Sequence, residues 1–276
     1  MTGPQGLRVT ARDARFQQWE ALLGNRTKRQ RSGEFLVQGV RPITMAVRNG
    51  WQVRALLHGD GVPLSAWARE TLDTVPAVRV AVATGLMAEL GGKTETVPEL
   101  LAVVGMPPDD LTRIPAGLRM LTIVFDRPTS PGNIGTLIRS ADAFGASGII
   151  VTGHAADVYD PKTVRASIGS LFSVPVVRAA SHRPVLEWAA AIRSDGPLVT
   201  VGTDEDGDLE LARFDFSRPT LVVVGNETTG LSVAWREACD HMVRIPISGT
   251  ASSLNAATAA SIVLYEAARQ RAAWQA

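Results

Sequence analysis

The fold is decided by one stretch of the sequence, Met120-Leu-Thr-Ile-Val-Phe-Asp126-Arg-Pro-Thr-Ser-Pro-Gly-Asn133-Ile-Gly-Thr-Leu-Ile-Arg139-Ser-Ala-Asp-Ala-Phe-Gly145. Its first six residues are mostly apolar, which is typical of a strand buried on both faces of a sheet. A turn rich in proline and glycine follows, and apolar residues then recur at helical spacing until Gly145, a typical helix terminator. The stretch therefore predicts a strand, a loop and a helix. Ligands of open α/β sheets bind where such strands end.

The same alternation continues to the end of the chain. The predicted strands are 120–125, 148–152, 173–177, 198–202, 220–224 and 242–247, and the predicted helices are 133–144, 160–168, 183–193, 231–239 and 254–271. Strands that alternate with helices in this way predict an α/β domain whose mostly parallel sheet is covered by helices on both faces.

The first hundred residues predict a second, smaller α/β unit. Short apolar runs with strand character alternate there with segments of helical spacing, for example Phe16 to Leu23. The run 106–115 contains three prolines and two aspartates, which is the composition of a linker. The predicted organisation is a domain at 1–105, a linker at 106–117 and a domain at 118–276.

Composition excludes several classes of protein. No apolar run approaches the roughly 20 residues that a membrane helix needs, and the amino terminus lacks a signal-peptide pattern. Cys239 is the single cysteine, so no intramolecular disulfide is possible, and we interpret it as a packing residue. These features predict a cytoplasmic protein without a membrane partner.

Metal and nucleotide motifs are missing from the sequence. The four histidines, His58, His154, His182 and His241, show no short metal-ligand spacing, so no metal site is expected. The strand before Asp126 leads into neither a Gly-x-Gly-x-x-Gly turn nor a phosphate-binding P-loop. This disfavours a Rossmann dinucleotide site.

Positive charge is concentrated near the amino terminus. Seven basic residues stand against two acidic ones between Arg8 and Arg31, although the net charge of the chain is only +1. The densest cluster holds Arg26, Lys28, Arg29 and Arg31. Such a cluster is typical of a surface that binds a polyanion, but a solvated helix end has the same composition.

Two later segments repeat the strand-and-loop pattern of the opening stretch. Residues 221–232 contain an apolar strand followed by Gly225-Asn-Glu227-Thr-Thr-Gly230, and residues 243–249 form a strand that leads towards Ser252-Ser-Leu-Asn255 and an alanine-rich helix. Together with the opening stretch, these segments resemble the three motifs of the SpoU-type RNA 2′-O-ribose methyltransferases. The resemblance covers roughly residues 119 to 271. The amino-terminal part also resembles the family's ribosomal-protein-like RNA-binding domain.

The resemblance implies a fold, a reaction and partners. It implies an α/β trefoil knot, S-adenosylmethionine as cofactor, and a homodimer whose active site lies at the subunit interface. Within the family, the chain looks most like enzymes that methylate the ribosomal RNA (23S) of the large subunit and confer antibiotic resistance. Transfer RNA as the substrate, or a non-catalytic RNA-binding protein of the same fold, are the alternatives.

The resemblance also implies site residues. The expected catalytic residues are Arg139, Asn133, Glu227, Ser253 and Asn255, and the expected cofactor-binding residues are Thr203, Gly225, Asn226, Ile245, Ser253 and Leu254. The basic cluster Arg26, Lys28, Arg29 and Arg31 becomes the expected RNA-binding surface.

Each catalytic candidate has a structural alternative. Arg139 stays protonated, so a grip on phosphate or on developing alkoxide charge suits it better than a general-base role, and the alternative is a surface ion pair with Asp142 or Asp126. Glu227 is expected to orient Arg139 or a substrate hydroxyl, or else to interact with a helix dipole. Asn133 and Ser253 each stand at a predicted helix start, where they are expected to cap backbone donors as well.

Overall fold

The computed structural model describes residues 7–92 and 97–273, which form two compact units. The first unit holds the described residues up to Pro107 together with Tyr159–Ser173, and the second holds Pro108–Val158 and the described residues from Val174 onward. The domain boundaries predicted from composition stay a prediction.

The first unit contains a five-stranded mixed sheet. Its strands are β1 (Leu7–Val9), β2 (Glu34–Gln38), β3 (Val53–Gly59), β4 (Val78–Val82) and β5 (Leu100–Gly105), in the order β1-β4-β3-β5-β2. Its helices in this part of the chain are α1 (Ala14–Gly24), α2 (Arg26–Ser32), α3 (Val40–Arg48), α4 (Ala66–Thr74) and α5 (Thr84–Leu90). β5 is antiparallel to β2 and β3, whereas β4 is parallel to β1 and β3. β2 is therefore an edge strand.

The second unit contains a seven-stranded sheet. Its strands are β6 (Leu121–Asp126), β7 (Gly148–Thr152), β8 (Val176–Ala179), β9 (Val199–Thr203), β10 (Leu209–Glu210), β11 (Thr220–Val224) and β12 (His241–Arg244), in the order β10-β12-β9-β11-β6-β7-β8. Every pairing is parallel, which confirms the predicted mostly parallel α/β sheet. β6 and β11 are buried along their whole length, as continuous apolar strands require. The trefoil knot stays a prediction.

The helices of the carboxy-terminal half are α6 (Pro131–Ala143), α7 (Pro161–Ser167), α8 (His182–Asp195), α9 (Val233–Ala238) and α10 (Ala256–Ala273). α7 packs in the first unit, beside β2. The proline-rich segment before β6 is ordered against the second unit. Ile114 is buried in the core of that unit, and Asp109 pairs with Arg178 at 2.7 Å.

Helix starts differ from those predicted because polar side chains cap different positions. Ser130 caps α6 by accepting the backbone N–H of Asn133 at 3.3 Å, so Asn133 lies inside the helix. Asn255 precedes α10 and accepts the N–H groups of Ala257 and Thr258 at 3.0 and 3.2 Å. The predictions that Asn133 and Ser253 cap these helices were therefore wrong.

Cys239 lies at the end of α9 and packs against the core of the second unit. Burial raises the pKa of its thiol to about 12. Because the thiolate is the reactive form, we expect the thiol of the native protein to react with Ellman's reagent at pH 8 at least about 100-fold more slowly than in urea. Equal rates in the native and unfolded states would contradict the packing role.

In residues 7–92 and 97–273, no helix is both long and apolar enough to cross a bilayer.

Candidate active site

A cavity of about 350 Å³ lies in the second unit where β9, β11 and β12 end. It is closed on one side by the chain that leads into α10. Its lining includes the six residues expected to bind the cofactor, Thr203, Gly225, Asn226, Ile245, Ser253 and Leu254. The parallel strands bring these positions together because their carboxyl ends meet at one edge of the sheet. The volume falls within the range of small-molecule sites.

The wall formed by residues 225–230 is a tight turn after β11. Asn226 and Gly230 exchange two backbone hydrogen bonds of 3.0 and 3.1 Å, and the Asn226 side chain accepts the N–H groups of Thr228 and Thr229. Gly230 has a φ of +63°, which glycine adopts readily. A Cβ at Gly225 would lie 2.5 Å from the nitrogen of Leu231. The turn therefore requires glycine at this position.

Asp126 holds the loops after β6 and β11 together. The residue is 3% exposed, and its carboxylate accepts hydrogen bonds from the Thr152 hydroxyl at 3.0 Å, the Ser232 N–H at 3.2 Å and Arg127 Nε at 3.1 Å. These donors satisfy the hydrogen-bonding capacity of a buried carboxylate, which would be costly to leave unpaired. Sequence reasoning assigned Asp126 no such role, although it lies in the opening stretch.

Arg127 links the same two loops through its backbone and its side chain. Its φ of 52° is uncommon for a residue with a side chain, and such strain clusters at functional sites. The Arg127 carbonyl accepts from Asn226 Nδ2 at 2.6 Å, and Nη2 donates to the carbonyl of Gly230 at 3.3 Å. Arg127 was also missed from the sequence, where a basic residue after a strand gives no distinctive signal.

Glu227 connects the cavity wall to α6. Its carboxylate accepts from Asn133 Nδ2 at 2.8 Å and from the N–H and hydroxyl of Thr129 at 3.0 and 3.1 Å. Burial by itself would raise the pKa of Glu227, but these hydrogen bonds outweigh it, so the pKa lies below its ordinary value. Glu227 is therefore an ionised carboxylate at neutral pH.

Asn133 extends this connection to the start of α10. Its side-chain oxygen accepts from Asn255 Nδ2 at 3.1 Å, so Glu227, Asn133 and Asn255 form one hydrogen-bonded series. Three of the five expected catalytic residues are thus joined directly, and Ser253 lines the adjacent cavity. Thr129, which completes the surroundings of Glu227, was not predicted.

Arg139 is set apart from this series. It lies on the exposed face of α6, with Thr136 and Ala143, and within 7–92 and 97–273 it makes no hydrogen bond or ion pair. The predicted contact with Glu227 is therefore not made. The alternative pairing with Asp126 is also wrong, because that carboxylate is held by Arg127, Thr152 and Ser232. In the described part of the chain, the Arg139 guanidinium is exposed and has no charged partner.

Acidic side chains line part of the cavity, together with Arg236. Asp204, Glu205 and Asp206 follow β9, and Asp204 pairs with Arg236 while Glu205 and Asp206 are exposed. Val224, Val243 and Leu254 supply apolar walls. A ligand that combines an apolar body with positive charge suits such a cavity. Across the described residues, no group of three or more His, Cys, Asp or Glu side chains could hold a metal ion.

The expected RNA-binding cluster divides between surface and interior. Lys28 and Arg31 are exposed on α2, and Arg26 is half-buried. Arg29 is 2% exposed, donates to the Leu22 carbonyl at 2.7 Å and lies 3.7 Å from the Asp160 carboxylate. Arg29 is therefore a structural residue, and its predicted contact with RNA is corrected.

Replacing Arg29 should destabilise the protein. We expect Arg29→Ala to lower the free energy of unfolding by about 3 kcal/mol, because it removes the hydrogen bond to the Leu22 carbonyl and the ion pair with Asp160 and leaves a void in the core. Lys28→Ala, which alters the adjacent exposed side chain, should change it by less than about 0.5 kcal/mol. Urea unfolding of both variants checks this, and equal stabilities would contradict the structural role.

Comparison with known proteins gives matches along nearly the whole chain. Residues 13–102 match the model of the SpoU L30e-like domain, and residues 120–265 match that of the SpoU rRNA Methylase family. The 23S rRNA (uridine(2479)-2′-O)-methyltransferase of Streptomyces viridochromogenes is 61% identical, over 97% of this chain and 94% of that protein.

Solved structures give the same picture. The SpoU methyltransferase AviRb from Streptomyces viridochromogenes, in complex with the cofactor AdoMet, matches with a TM-score of 0.92 at 61% identity, over 95% of this chain and 99% of that one. An AdoMet-bound rRNA methyltransferase from Sinorhizobium meliloti matches with a TM-score of 0.85 at 28% identity, over 96% of this chain and 98% of that one.

Proposed function

The chain belongs to the SpoU rRNA methylase family, and on that premise we propose that it methylates the ribose 2′-hydroxyl of a nucleotide in 23S rRNA, with S-adenosylmethionine as the methyl donor. One observation carries the proposal. The six expected cofactor residues line a single cavity, and this cavity adjoins the hydrogen-bonded series Glu227, Asn133 and Asn255. The uridine that corresponds to the one named for the Streptomyces viridochromogenes relative is the proposed target.

The cavity fits S-adenosylmethionine in size and in chemistry. Aliphatic side chains such as Ile245 and Leu254 suit the flat adenine ring, and backbone groups near Gly225 can read its edge without a specialised side chain. The carboxylates of Asp204, Glu205 and Asp206 complement the positive sulfonium and ammonium groups of the cofactor. When bound there, the cofactor supplies an electrophilic methyl group.

We assign the chemical step to Arg139 and the positioning of the site to Glu227, Asn133 and Asn255. The Arg139 guanidinium, which has no hydrogen bond or ion pair within the described residues, can hold a phosphate beside the target ribose and stabilise the negative charge that develops on its 2′-oxygen as the proton passes to solvent water. Glu227, being ionised and held by Thr129 and Asn133, fixes the amide of Asn133 towards Asn255. Thr129, Glu227, Asn133 and Asn255 thereby keep the loops around the cavity in one arrangement.

The remaining parts of the proposal concern partners and location. We propose that the exposed Lys28 and Arg31 contact rRNA phosphates, with Arg26 beside them. We also propose a homodimer, since the family resemblance implies one and since Val233 of α9 and Tyr265 of α10 are large hydrophobic residues that are exposed in the single chain. A cytoplasmic location follows from the rRNA substrate.

Labelled methyl transfer to separate RNA substrates tests the function. Purified protein and methyl-labelled S-adenosylmethionine are incubated with 23S rRNA, large ribosomal subunits or bulk tRNA, and the label in RNA is counted. We expect label in 23S rRNA or in the subunit. Label in tRNA alone would overturn the proposed rRNA substrate, and RNA binding without any transfer would favour the non-catalytic alternative.

Antibiotic resistance stays a prediction, and drug susceptibility of a host expressing the protein tests it.

A further inference from the structure

The segment Tyr159–Ser173 belongs to the methylase-matched part of the sequence but packs in the amino-terminal unit. Tyr159 and Phe172 contact Phe35 of β2, with ring centroids 4.8 and 6.2 Å apart. The Trp51 indole donates to the Phe172 carbonyl at 3.1 Å. α7 is thus fixed beside the same edge strand, β2, that α2 flanks.

α7 has one buried face and one basic face. Thr163, Val164 and Ser167 are buried, whereas Lys162 and Arg165 are exposed. Residues three apart on a helix are neighbours on its surface, so the two cations lie side by side. The segment 160–168 contains no acidic residue other than Asp160.

α2 repeats this arrangement. Lys28 and Arg31 are also three residues apart and exposed, while Arg29 points inward. Arg29 lies 3.7 Å from Asp160, which caps α7 by accepting the Lys162 N–H at 2.8 Å. This ion pair joins the two helices, and it offsets the negative charge of Asp160. Two adjacent pairs of exposed cations remain.

We infer that Lys162 and Arg165 bind the phosphate backbone of the rRNA, as part of one basic surface formed by Lys28, Arg31, Lys162 and Arg165. We call this the α2–α7 surface. The inference rests on the proposed function, because that function supplies RNA as the polyanion. Structured RNA is recognised largely through shape and phosphate contacts, which lysine and arginine on rigid helices provide.

The test compares two double variants that each remove two positive charges from the first unit. Lys162→Ala/Arg165→Ala alters the α2–α7 surface. Arg8→Ala/Arg79→Ala alters exposed residues on β1 and β4, towards the opposite edge of the sheet. Affinity for a 23S rRNA fragment is measured between 50 and 200 mM salt, together with S-adenosylmethionine affinity and methyl transfer at saturating RNA.

We expect Lys162→Ala/Arg165→Ala to weaken RNA binding by about tenfold at 50 mM salt and to lower the slope of log affinity against log salt by about 1.5 to 2. The control variant should change affinity by less than about twofold, with the slope retained. Lys162→Arg/Arg165→Lys should bind as the wild type does, because the charges are kept. Affinity for S-adenosylmethionine should be the same in all variants.

Two results would overturn the inference. The first is a wild-type protein that methylates RNA while Lys162→Ala/Arg165→Ala keeps the same RNA affinity and the same salt slope. This result would show that α7 does not contact the RNA, and it would leave the proposed function standing. Absence of methylation by the wild type on every RNA substrate would remove the proposed function, and the inference would fall with it.

Discussion

Arg139→Ala should bind S-adenosylmethionine with nearly wild-type affinity, but its rate of methyl transfer should fall by about 100- to 1,000-fold. Arg139 lies outside the set of residues that line the cavity, so the cofactor site should be unaffected. Its guanidinium is exposed on α6 and unpaired in the described part of the chain, which suits a group reserved for the charge of a substrate. Removing it leaves the developing alkoxide without its stabilising charge.

Two further variants make the Arg139 prediction specific. Arg139→Lys keeps the charge but loses bidentate geometry, so we expect a rate between those of the wild type and the alanine variant. Arg183→Ala removes another exposed arginine of the same unit, on α8, and should methylate normally. Single-turnover kinetics at saturating RNA and cofactor give these rates. A rate for Arg139→Ala within threefold of wild type would remove the catalytic assignment.

Gly225→Ala should abolish tight cofactor binding. The added Cβ would lie 2.5 Å from the nitrogen of Leu231 and closer still to the carbonyl carbon of Gly230. Both are backbone atoms, so the turn 225–230 must move, and the wall of the cavity moves with it. Overpacking of this kind costs about 2 to 3 kcal/mol, which corresponds to a 30- to 150-fold loss of S-adenosylmethionine affinity if it falls on the bound state.

The matched control is Gly196→Ala, in the same unit, where an added Cβ meets nothing within 4 Å. Calorimetric titration with S-adenosylmethionine, with thermal unfolding to verify folding, measures both variants. We expect the control to bind as the wild type does. A folded Gly225→Ala protein with wild-type affinity would show that the turn does not shape the cofactor site.

The buried parallel strands were the elements of the fold that the sequence predicted best. The apolar run 120–125 appears as β6 at 121–126, and the run 220–224 appears unchanged as β11, because strands covered on both faces read as continuous apolar segments. α2 was missed since all seven of its residues are polar and therefore show no apolar periodicity. The order of strands depends on contacts distant in sequence and was not readable.

The sequence predicted which residues form the candidate site better than it predicted the local structural role of each residue. Gly225, Ile245 and Leu254 line one cavity, as the family motifs implied. Helix caps were misassigned because serines and asparagines stand close together near both helix starts, and composition does not say which of them takes the capping conformation. Ser130 and Asn255 do so.

Arg29 illustrates a different limit of sequence reasoning. A cluster of basic residues indicates positive potential, but burial is decided by partners that lie far away in the chain. Asp160 is 131 positions from Arg29, and the packing of α7 beside β2 brings their charged groups within 3.7 Å. Lys28 and Arg31, on the other side of α2, remain exposed.

The most direct test of the central claim is mass spectrometry of nucleosides from 23S rRNA treated with the protein and deuterated-methyl S-adenosylmethionine. Nucleosides are separated and fragmented, so a methyl group on ribose is distinguished from one on the base. We predict a single 2′-O-methyluridine that carries the deuterated methyl group and is absent with Arg139→Ala. Label on a base, or equal ribose label with Arg139→Ala, would contradict the account.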